Sequence, residues 1–588
     1  MEDLDAYQKI SKDFLETSID FENLFDKSAT VSKEARKIGN QLYTQKIHDR
    51  NIHKKTLMQY SKSVAFAPNN SEDLALAYGN RSALLLHLHQ YQQCLDDINR
   101  ALQITNSTKL ISKLHARKQK CLQLMENLNK KKNYEESIID SISKENNHTL
   151  KLPTIAPSTV IQSASEAITV KYNEKYGRHL IATRYIKPGE IIIAEKGYVC
   201  YPMTCHRYLI CSHCLIFAWS GISCESCAFC VYCSESCRKN AWKQYHDIEC
   251  TLYRYISCMF SDKENFVPDI IVAIRLFIKA VKKEGIDTIM NEARICNNQV
   301  EGLMVNGKLY SNKFRSLINL LNYRQCPKEN DLDFNVTIFA NALFEYTNFF
   351  DSKKDESNLI TNEHLLYQLE NIIKKLTGIV YVNSFKYQAM ICNCESFTQC
   401  RNECEATRGV ILAPISSLIN HSCNSNVSRM FLPNGKIVMF TVAPVKEGEQ
   451  LFESYGPTFM MKKEERQSHL RKCFNFICEC EPCKENWPNN LEFADLDERQ
   501  KSMISIKIMQ EFNYLFPYAS KSRLLGNDEL DWEYNEEILK HAVKLSELTY
   551  KYLDSNAQAT LYNLPYKFYI DQAYYMVYGE KCIMPHKC

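Results

Sequence analysis

Between Cys211 and Cys250 the sequence sets metal-ligand residue types in four close pairs: Cys211-x2-Cys214, Cys224-x2-Cys227, Cys233-x3-Cys237 and His246-x3-Cys250. Eight thiolate and imidazole ligands suffice for two tetrahedral zinc ions, and a site with four protein ligands leaves no position for a reactive water. Such zinc is structural, because a segment this short buries too little apolar surface to fold without it. Scattered buried thiols would not give four regular pairs. The chain has 588 residues, 26 of them cysteine, and nine of these lie between Cys205 and Cys250. Its start, Met1 to Asp5, is acidic where a signal peptide would be basic, and no run of about 18 apolar residues occurs. A soluble chain made in the cytosol is expected, where disulfides are disfavoured and metal binding is the first explanation for the thiols. Apolar residues at 45% and charged residues at 24% exclude collagen-like and wholly disordered classes. Lys plus Arg total 72 against 69 for Asp plus Glu, so the net charge of +3 gives no reason to expect nucleic acid or a membrane surface as partner.

The elements that must position these residues fall into blocks. Residues 31–128 read as helices. Tyr78-x-Asn80-Arg81-x-Ala83 with Leu88, Tyr91, Leu95, Asp97 and Ala101-Leu102 follows the order of a tetratricopeptide repeat, and Ala35 to Tyr43 with Tyr60 to Pro68 resembles a second copy. An ordinary helical hairpin core is the alternative. Residues 129–167, with Lys130-Lys131-Lys132, Pro153 and Pro157, read as a linker; the lysine run reads as solvated charge before it reads as a targeting signal. Strand patterns follow at Ile168 to Tyr172, His179 to Arg184 and Ile191 to Glu195, with Lys187-Pro188-Gly189-Glu190 as a type II turn. Residues 251–375 return to helical spacing, strands resume at Ile411-Leu412, Ser428 to Leu432, Lys436 to Val442 and Gln450 to Glu453, and residues 486–588 are again helical. A β core split by two insertions and flanked by helical ends is the architecture implied.

Asn420-His421-Ser422-Cys423, followed by Phe452-Glu453-Ser454-Tyr455-Gly456 and by Cys478-x-Cys480-x2-Cys483, resembles the SET domain of protein lysine methyltransferases. Tyr232-Cys233 and Trp242 before His246-x3-Cys250 make the cysteine–histidine cluster resemble a MYND zinc finger. The combination is similar to the SET- and MYND-domain family, and the amino-terminal helices resemble its tetratricopeptide-bearing fourth subgroup. The resemblance implies a multidomain α+β chain, a split SET β-fold with an inserted MYND finger, flanked by helical repeat-like regions. Its blocks would be 168–210 for the first SET part, 211–250 for the finger, 251–375 for a helical insertion, 376–456 for the SET core, 457–485 for a post-SET zinc region and 486–588 for the carboxy-terminal helices.

In that family the finger's pairs interleave, so the resemblance puts Cys211, Cys214, Cys233 and Cys237 on one ion, and Cys224, Cys227, His246 and Cys250 on another. Cys423, Cys478, Cys480 and Cys483 would hold a third. Cys205 and Cys230 are left as packed thiols, and Cys392-x-Cys394-x5-Cys400-x3-Cys404 permits a fourth zinc, with a loop of free thiols as the alternative. S-adenosylmethionine is the implied cofactor, met by Tyr176, Gly177, Arg178, Asn383, Ser417, Leu418, Asn420, His421, Tyr455 and Phe476. Phe474 and Phe476 would line the lysine channel, and Tyr455 is the implied catalytic residue. The family usually has a second glycine where His179 stands, so a side chain there is expected to narrow the cofactor pocket; Ser425 stands where relatives often carry proline.

The chemistry implied is an in-line displacement in which a neutral lysine amine attacks a sulfonium methyl carbon. An unperturbed lysine has a pKa of about 10.4, so its proton must leave first, and an apolar channel disfavours the ammonium form. Alignment of the three reacting atoms can contribute up to about 7–11 kcal/mol. The expected protein is a zinc-containing methyltransferase, histone-directed or not, acting on protein lysines in cytoplasm and nucleus. Peptide partners are expected for the finger and the repeats, and the chain is expected to be a monomer. Its rivals are a SET scaffold that binds cofactor weakly, favoured by His179, and a DNA-binding protein. The finger segment lacks a recognition helix with a basic face, which weighs against DNA.

Overall fold

The computed structural model describes residues 26–45, 50–139, 155–256, 269–295, 299–321, 329–351, 359–388, 407–456, 461–487, 507–515 and 536–552, with Lys567 and Ile570 beyond them. Among the described residues five helices come first: α1 (Ala29–Thr44), α2 (Arg50–Phe66), α3 (Glu72–His87), α4 (Tyr91–Ile104) and α5 (Thr108–Ile139). Serine hydroxyls start two of them, Ser28 accepting from the Val31 N–H and Ser71 from the Leu74 N–H. Small residues let them pack closely, with Ala35, Ala75, Ala77 and Ala101 buried. Arg81 and Asp97 form a fully buried pair, Nε to Oδ2 at 2.7 Å and Nη2 to Oδ1 at 2.9 Å.

α5 runs to Ile139, past the boundary expected at 128. Residues 155–167, the described end of the stretch read as a linker, pack on the β core. Ile161, Ala164 and Ala167 are buried, Ser165 N–H donates to Ile192 O at 2.8 Å, and Ala164 bridges Ile193. The Pro and Ser composition of this stretch signalled absence of regular structure, which is a different property from absence of packing.

The β core is built from short strands. β1 (Ile168–Asn173) and β2 (Gly177–Ala182) make an antiparallel hairpin with Asn173 opposite Gly177. β3 (Ile191–Lys196) and β4 (Val199–Pro202) follow, joined to β2 through the 187–190 turn. Pro188 presets one central φ, Gly189 takes φ +77°, and the Glu190 N–H reaches Lys187 O at 3.3 Å, as a type II turn requires.

A cysteine-rich module then interrupts the strands, carrying β5 (Ile222–Ser223), β6 (Val231–Tyr232), α6 (Glu235–Ala241) and, after one turn of wider π-type helix, α7 (Asp247–Ile256). Helices α8 (Asp269–Glu284), α9 (Ile286–Arg294), α10 (Phe314–Ile318), α11 (Glu329–Glu345) and α12 (Leu359–Asn383) form the second insertion, with the small hairpin β7 (Met304–Val305) and β8 (Lys308–Leu309) inside it.

The core resumes with β9 (Ser384–Gln388), β10 (Thr407–Leu412), β11 (Asn420–His421), β12 (Val427–Leu432), β13 (Lys436–Thr441) and β14 (Phe452–Glu453). Pairing crosses the insertions: β10 lies between β4 and β9, β13 between β12 and β3, and β11 runs parallel to β14. The strand expected over 450–453 shortens to two residues, while Leu451 N–H still donates to Leu180 O at 2.9 Å and so continues β2.

Helices α13 (Lys463–Phe474) and α14 (Glu481–Lys484) follow, then α15 (Glu536–Tyr552). α15 joins a core with Ile191, Met430, Val438, Phe440 and Val442, so it covers one face of the β12–β13–β3 sheet. No described helix is long and apolar enough to cross a membrane.

Candidate active site and metal clusters

Three groups of four ligand residues converge, each with its ligand atoms within 4.8 Å of one another: Cys211, Cys214, Cys233 and Cys237; Cys224, Cys227, His246 and Cys250; and Cys423, Cys478, Cys480 and Cys483. Tetrahedral zinc with bonds of about 2.3 Å to sulfur sets sulfur atoms about 3.8 Å apart. The Sγ separations are 3.6 Å for Cys214–Cys233, 3.5 Å for Cys233–Cys237, 3.9 Å for Cys224–Cys250 and 3.6 Å for Cys423–Cys483. The donor sets therefore fit zinc. Cys230 is buried with its sulfur 3.8 Å from His246 Nδ1, outside the ligand set, and Cys205 is half-buried. The Cys392 to Cys404 cluster lies outside the described residues.

The two clusters of the module differ. All four residues around His246 are buried, whereas Cys233 and Cys237 are half-exposed, and Cys214 and Cys237 line a cavity of about 170 Å³ shared with Lys196 and Lys279. His246 turns Nε2 toward Cys227 Sγ at 3.6 Å and Nδ1 toward Glu249 Oε2 at 3.5 Å, the arrangement in which a carboxylate orients a ligand imidazole. Arg275 of α8 grips Glu249 with two bonds of 2.6 and 2.9 Å and donates to Cys200 O and Ser212 O, each at 2.9 Å. Burial pushes the Glu249 carboxyl up, but Arg275 and His246 hold it below its ordinary value. Neither Glu249 nor Arg275 was singled out in the sequence, because their meaning depends on a contact between two separate elements.

The helical array docks on the same module. Arg81 Nη2 donates to Gly221 O at 2.8 Å, Arg100 Nη1 to Ser220 O at 2.7 Å, Lys27 Nζ to Ser223 Oγ at 2.9 Å and Asn69 Nδ2 to Glu225 O at 2.8 Å.

A second constellation gathers around Tyr455, next to β14. Its hydroxyl donates to Ile419 O at 2.8 Å and its N–H to His421 Nδ1 at 3.0 Å; burial pushes the phenol up, so it stays protonated. His421 is held neutral, pushed down to about 4 by burial. Phe474 packs on Tyr455 with ring centroids 4.9 Å apart and the rings tilted by 41°, and Phe476 lies 6.0 Å from the His421 ring. Asn475 between them takes φ +55° at the end of α13, which lets the chain reverse and bring both rings to one side. Leu470, Cys423, Cys478, Cys483 and Trp487 form one small core against these rings, so the third cluster and the aromatic wall are packed together.

The cofactor residues inferred from the sequence also gather here, with one difference. Asn420 Nδ2 donates to Tyr176 O at 3.0 Å, fixing the β1–β2 turn, where Gly177 has φ +62° and an added Cβ would meet nothing within 4 Å. Arg178 follows on β2, and Leu418 is buried. Ser417 Oγ donates to Asn383 O at 3.2 Å, yet the Asn383 amide itself donates to Leu321 O and Ile379 O, both at 2.8 Å, and so braces the end of α12. His179 contacts both ends of the turn. Its ring is buried, with Nδ1 2.8 Å from Gly177 O and Nε2 3.5 Å from the Asn173 amide.

Glu195 was missed. It is fully buried and accepts from Ile415 N–H at 3.0 Å, Ser416 N–H at 2.9 Å and Ser416 Oγ at 2.9 Å. Burial pushes its carboxyl up to about 7 against the pull of those three bonds. The available signal was parity: strand alternation sets Glu195 on the face of Ile193, where an acid needs a reason, whereas a bulge at Ile192 turns Ile191 to the other face.

Residues 177–456 match the SET domain family. The chain is 25% identical over 517 residues to human protein-lysine N-methyltransferase SMYD4, covering 72% of this chain and 64% of that protein. It is 23% identical over 560 residues to the Danio rerio SMYD4, covering 82% and 68%, and 28% identical over 311 residues to human histone-lysine N-methyltransferase SMYD3, covering 53% and 60%. The matched part thus spans just under two thirds of the human SMYD4. Residues 177–456 thus carry a SET domain, and the chain is similar over most of its length to SMYD proteins.

Proposed function

We propose that this chain is an S-adenosylmethionine-dependent protein-lysine N-methyltransferase with three structural zinc ions. The observation that carries the reading is the convergence of Tyr455, His421, Asn420 and the Phe474–Phe476 wall on one side of the β11–β14 pair. When bound, the cofactor supplies an electrophilic methyl group on a sulfonium. Tyr176, Gly177, Arg178, Ser417, Leu418, Asn420 and His421 would hold it, with the open turn at Gly177 giving its backbone room to approach a ligand. Asn383 would act through Ser417.

Phe474 and Phe476 offer an apolar wall that disfavours a lysine ammonium and so favours the reactive amine. Tyr455, fixed by Ile419 O and His421, orients the amine by position rather than by taking its proton, since its own phenol is harder to ionise than usual. The inserted module reads as a MYND finger and the array as tetratricopeptide-like, both serving protein recognition. The catalysts named among the SMYD relatives support protein substrates as the class.

The test is a proteome-wide methyl-transfer assay with wild-type and Tyr455→Phe protein. Transfer should fall by about 100-fold or more while the variant stays folded. Unchanged transfer would sink the assigned role, and cofactor binding without any transfer would leave a scaffold.

A further inference from the structure

The segment that carries Ser417, Leu418, Asn420 and His421 begins as a tight turn after Pro414. Within it, Ser417 N–H donates to Ala413 O at 3.0 Å, Leu418 N–H to Ile415 O at 3.1 Å and Ile419 N–H to Ser416 O at 3.2 Å. Pro414 has no N–H, so the donors of Ile415 and Ser416 are the ones the turn cannot satisfy itself. Both go to Glu195, and so does the Ser416 hydroxyl. An ionised carboxylate, with two acceptor oxygens and no donor, matches three converging donors. Glu195 is fully buried, and these three bonds offset the desolvation cost of an acid in the β core. The far end of the segment is gripped too, by Lys567 Nζ on Asn424 Oδ1 and Ser425 O, each at 2.7 Å.

We propose that Glu195 is a positioning residue: it holds residues 415–421 in the shape that presents Ser417, Asn420 and His421 to the cofactor, without touching the cofactor. The assignment of a cofactor to that segment rests on the methyltransferase reading; the hold on the segment does not. Glu195→Gln keeps the size of the side chain but turns one oxygen into a donor facing a donor.

The experiment is hydrogen–deuterium exchange on the full chain without ligand, beside calorimetric titration with S-adenosylmethionine and steady-state kinetics. In Glu195→Gln the amides of Ile415 and Ser416 should exchange at least about tenfold faster while β12 and β13 stay as protected as in wild type. The Kd for S-adenosylmethionine should rise about tenfold, and kcat at saturating cofactor should stay within about threefold, a split that a general loss of stability would not give. If Glu195→Gln does not fold, Ser416→Ala removes only the hydroxyl bond and should weaken cofactor binding by about threefold. Unchanged exchange at 415–421, or faster exchange spread evenly through the sheet, would overturn the proposal. Wild-type protein that binds no S-adenosylmethionine would sink the methyltransferase reading, and the exchange contrast would still decide the role of Glu195.

Discussion

The cysteine-rich module and the Tyr455 site each lean on a cluster of four ligands, but the clusters do different work. Those of the module join residues from 211 to 250, close in sequence, and the His246 cluster is sealed beneath the array and α8. The third joins Cys423 to a segment more than fifty positions later and packs against Tyr455, with Cys480 half-exposed. A ligand set local in sequence nucleates a fold that has little else. One that spans distant segments pins a finished sheet to a mobile-length loop, so its loss should cost geometry before it costs folding.

The largest effect should follow from Cys227→Ser. Structural zinc contributes about 10–16 kcal/mol to small metal-nucleated folds, so the module should unfold, seen as loss of zinc and of the cooperative thermal transition. A variant that keeps its zinc and melting temperature would erase the contrast between the two regions.

Next comes Arg275→Met, which leaves Glu249 buried without its bidentate partner and should cost about 3–5 kcal/mol in denaturant unfolding. Because Arg275 binds Cys200 O and Ser212 O as well, the loss should be read in both the module and the β4 edge.

Cys480→Ser should behave in the opposite sense. The chain should stay folded with one zinc fewer, while methyl transfer falls by at least about tenfold, near 1.4 kcal/mol of barrier, because Phe474 and Phe476 lose their anchor. If it unfolds the chain as Cys227→Ser does, the distinction between nucleating and pinning clusters fails.

The smallest effect is expected from Lys567→Ala, which removes two charge-assisted bonds at a half-buried position and should weaken S-adenosylmethionine binding by about five-fold in a titration.

The same contrast explains what could be read from the sequence. Four close Cys and His pairs are a local pattern, so both the module and its position were legible. The strand patterns placed β3, β12 and β13 within a residue or two, because short runs of β-branched and aromatic residues buried on both faces announce themselves by composition. The Tyr455 site was reached only through resemblance, since Tyr176, Ser417 and Phe474 share no spacing that a fold-free reading can use. What stayed hidden were pairs of ordinary residues far apart: Glu195 with Ser416, Glu249 with Arg275, and Arg81 with the carbonyl of Gly221. Each is a single charged residue on an apolar face, informative only when its partner is known. Packing of residues 155–167 was hidden for another reason, since irregular backbone leaves no period.

The way β3 and β4 wait for their partners has a consequence for the ribosome. Everything the array and the module need has been made once Arg275 emerges, so the first half of the chain can settle as a unit during synthesis. β3 pairs with β13 and β4 with β10, strands that arrive some two hundred residues later. For that interval the nascent chain carries β3 and β4 with unpaired edges, Ile191 to Ile193 among them, and an unpaired apolar edge is a template for any neighbouring strand. The residue stationed at the end of that edge is Glu195, an acid whose hydrogen-bond donors have not yet been translated. Until Ile415 and Ser416 appear, Glu195 lacks the donors that satisfy it in the finished sheet, so β3 cannot take its buried place before the segment after Pro414 is made.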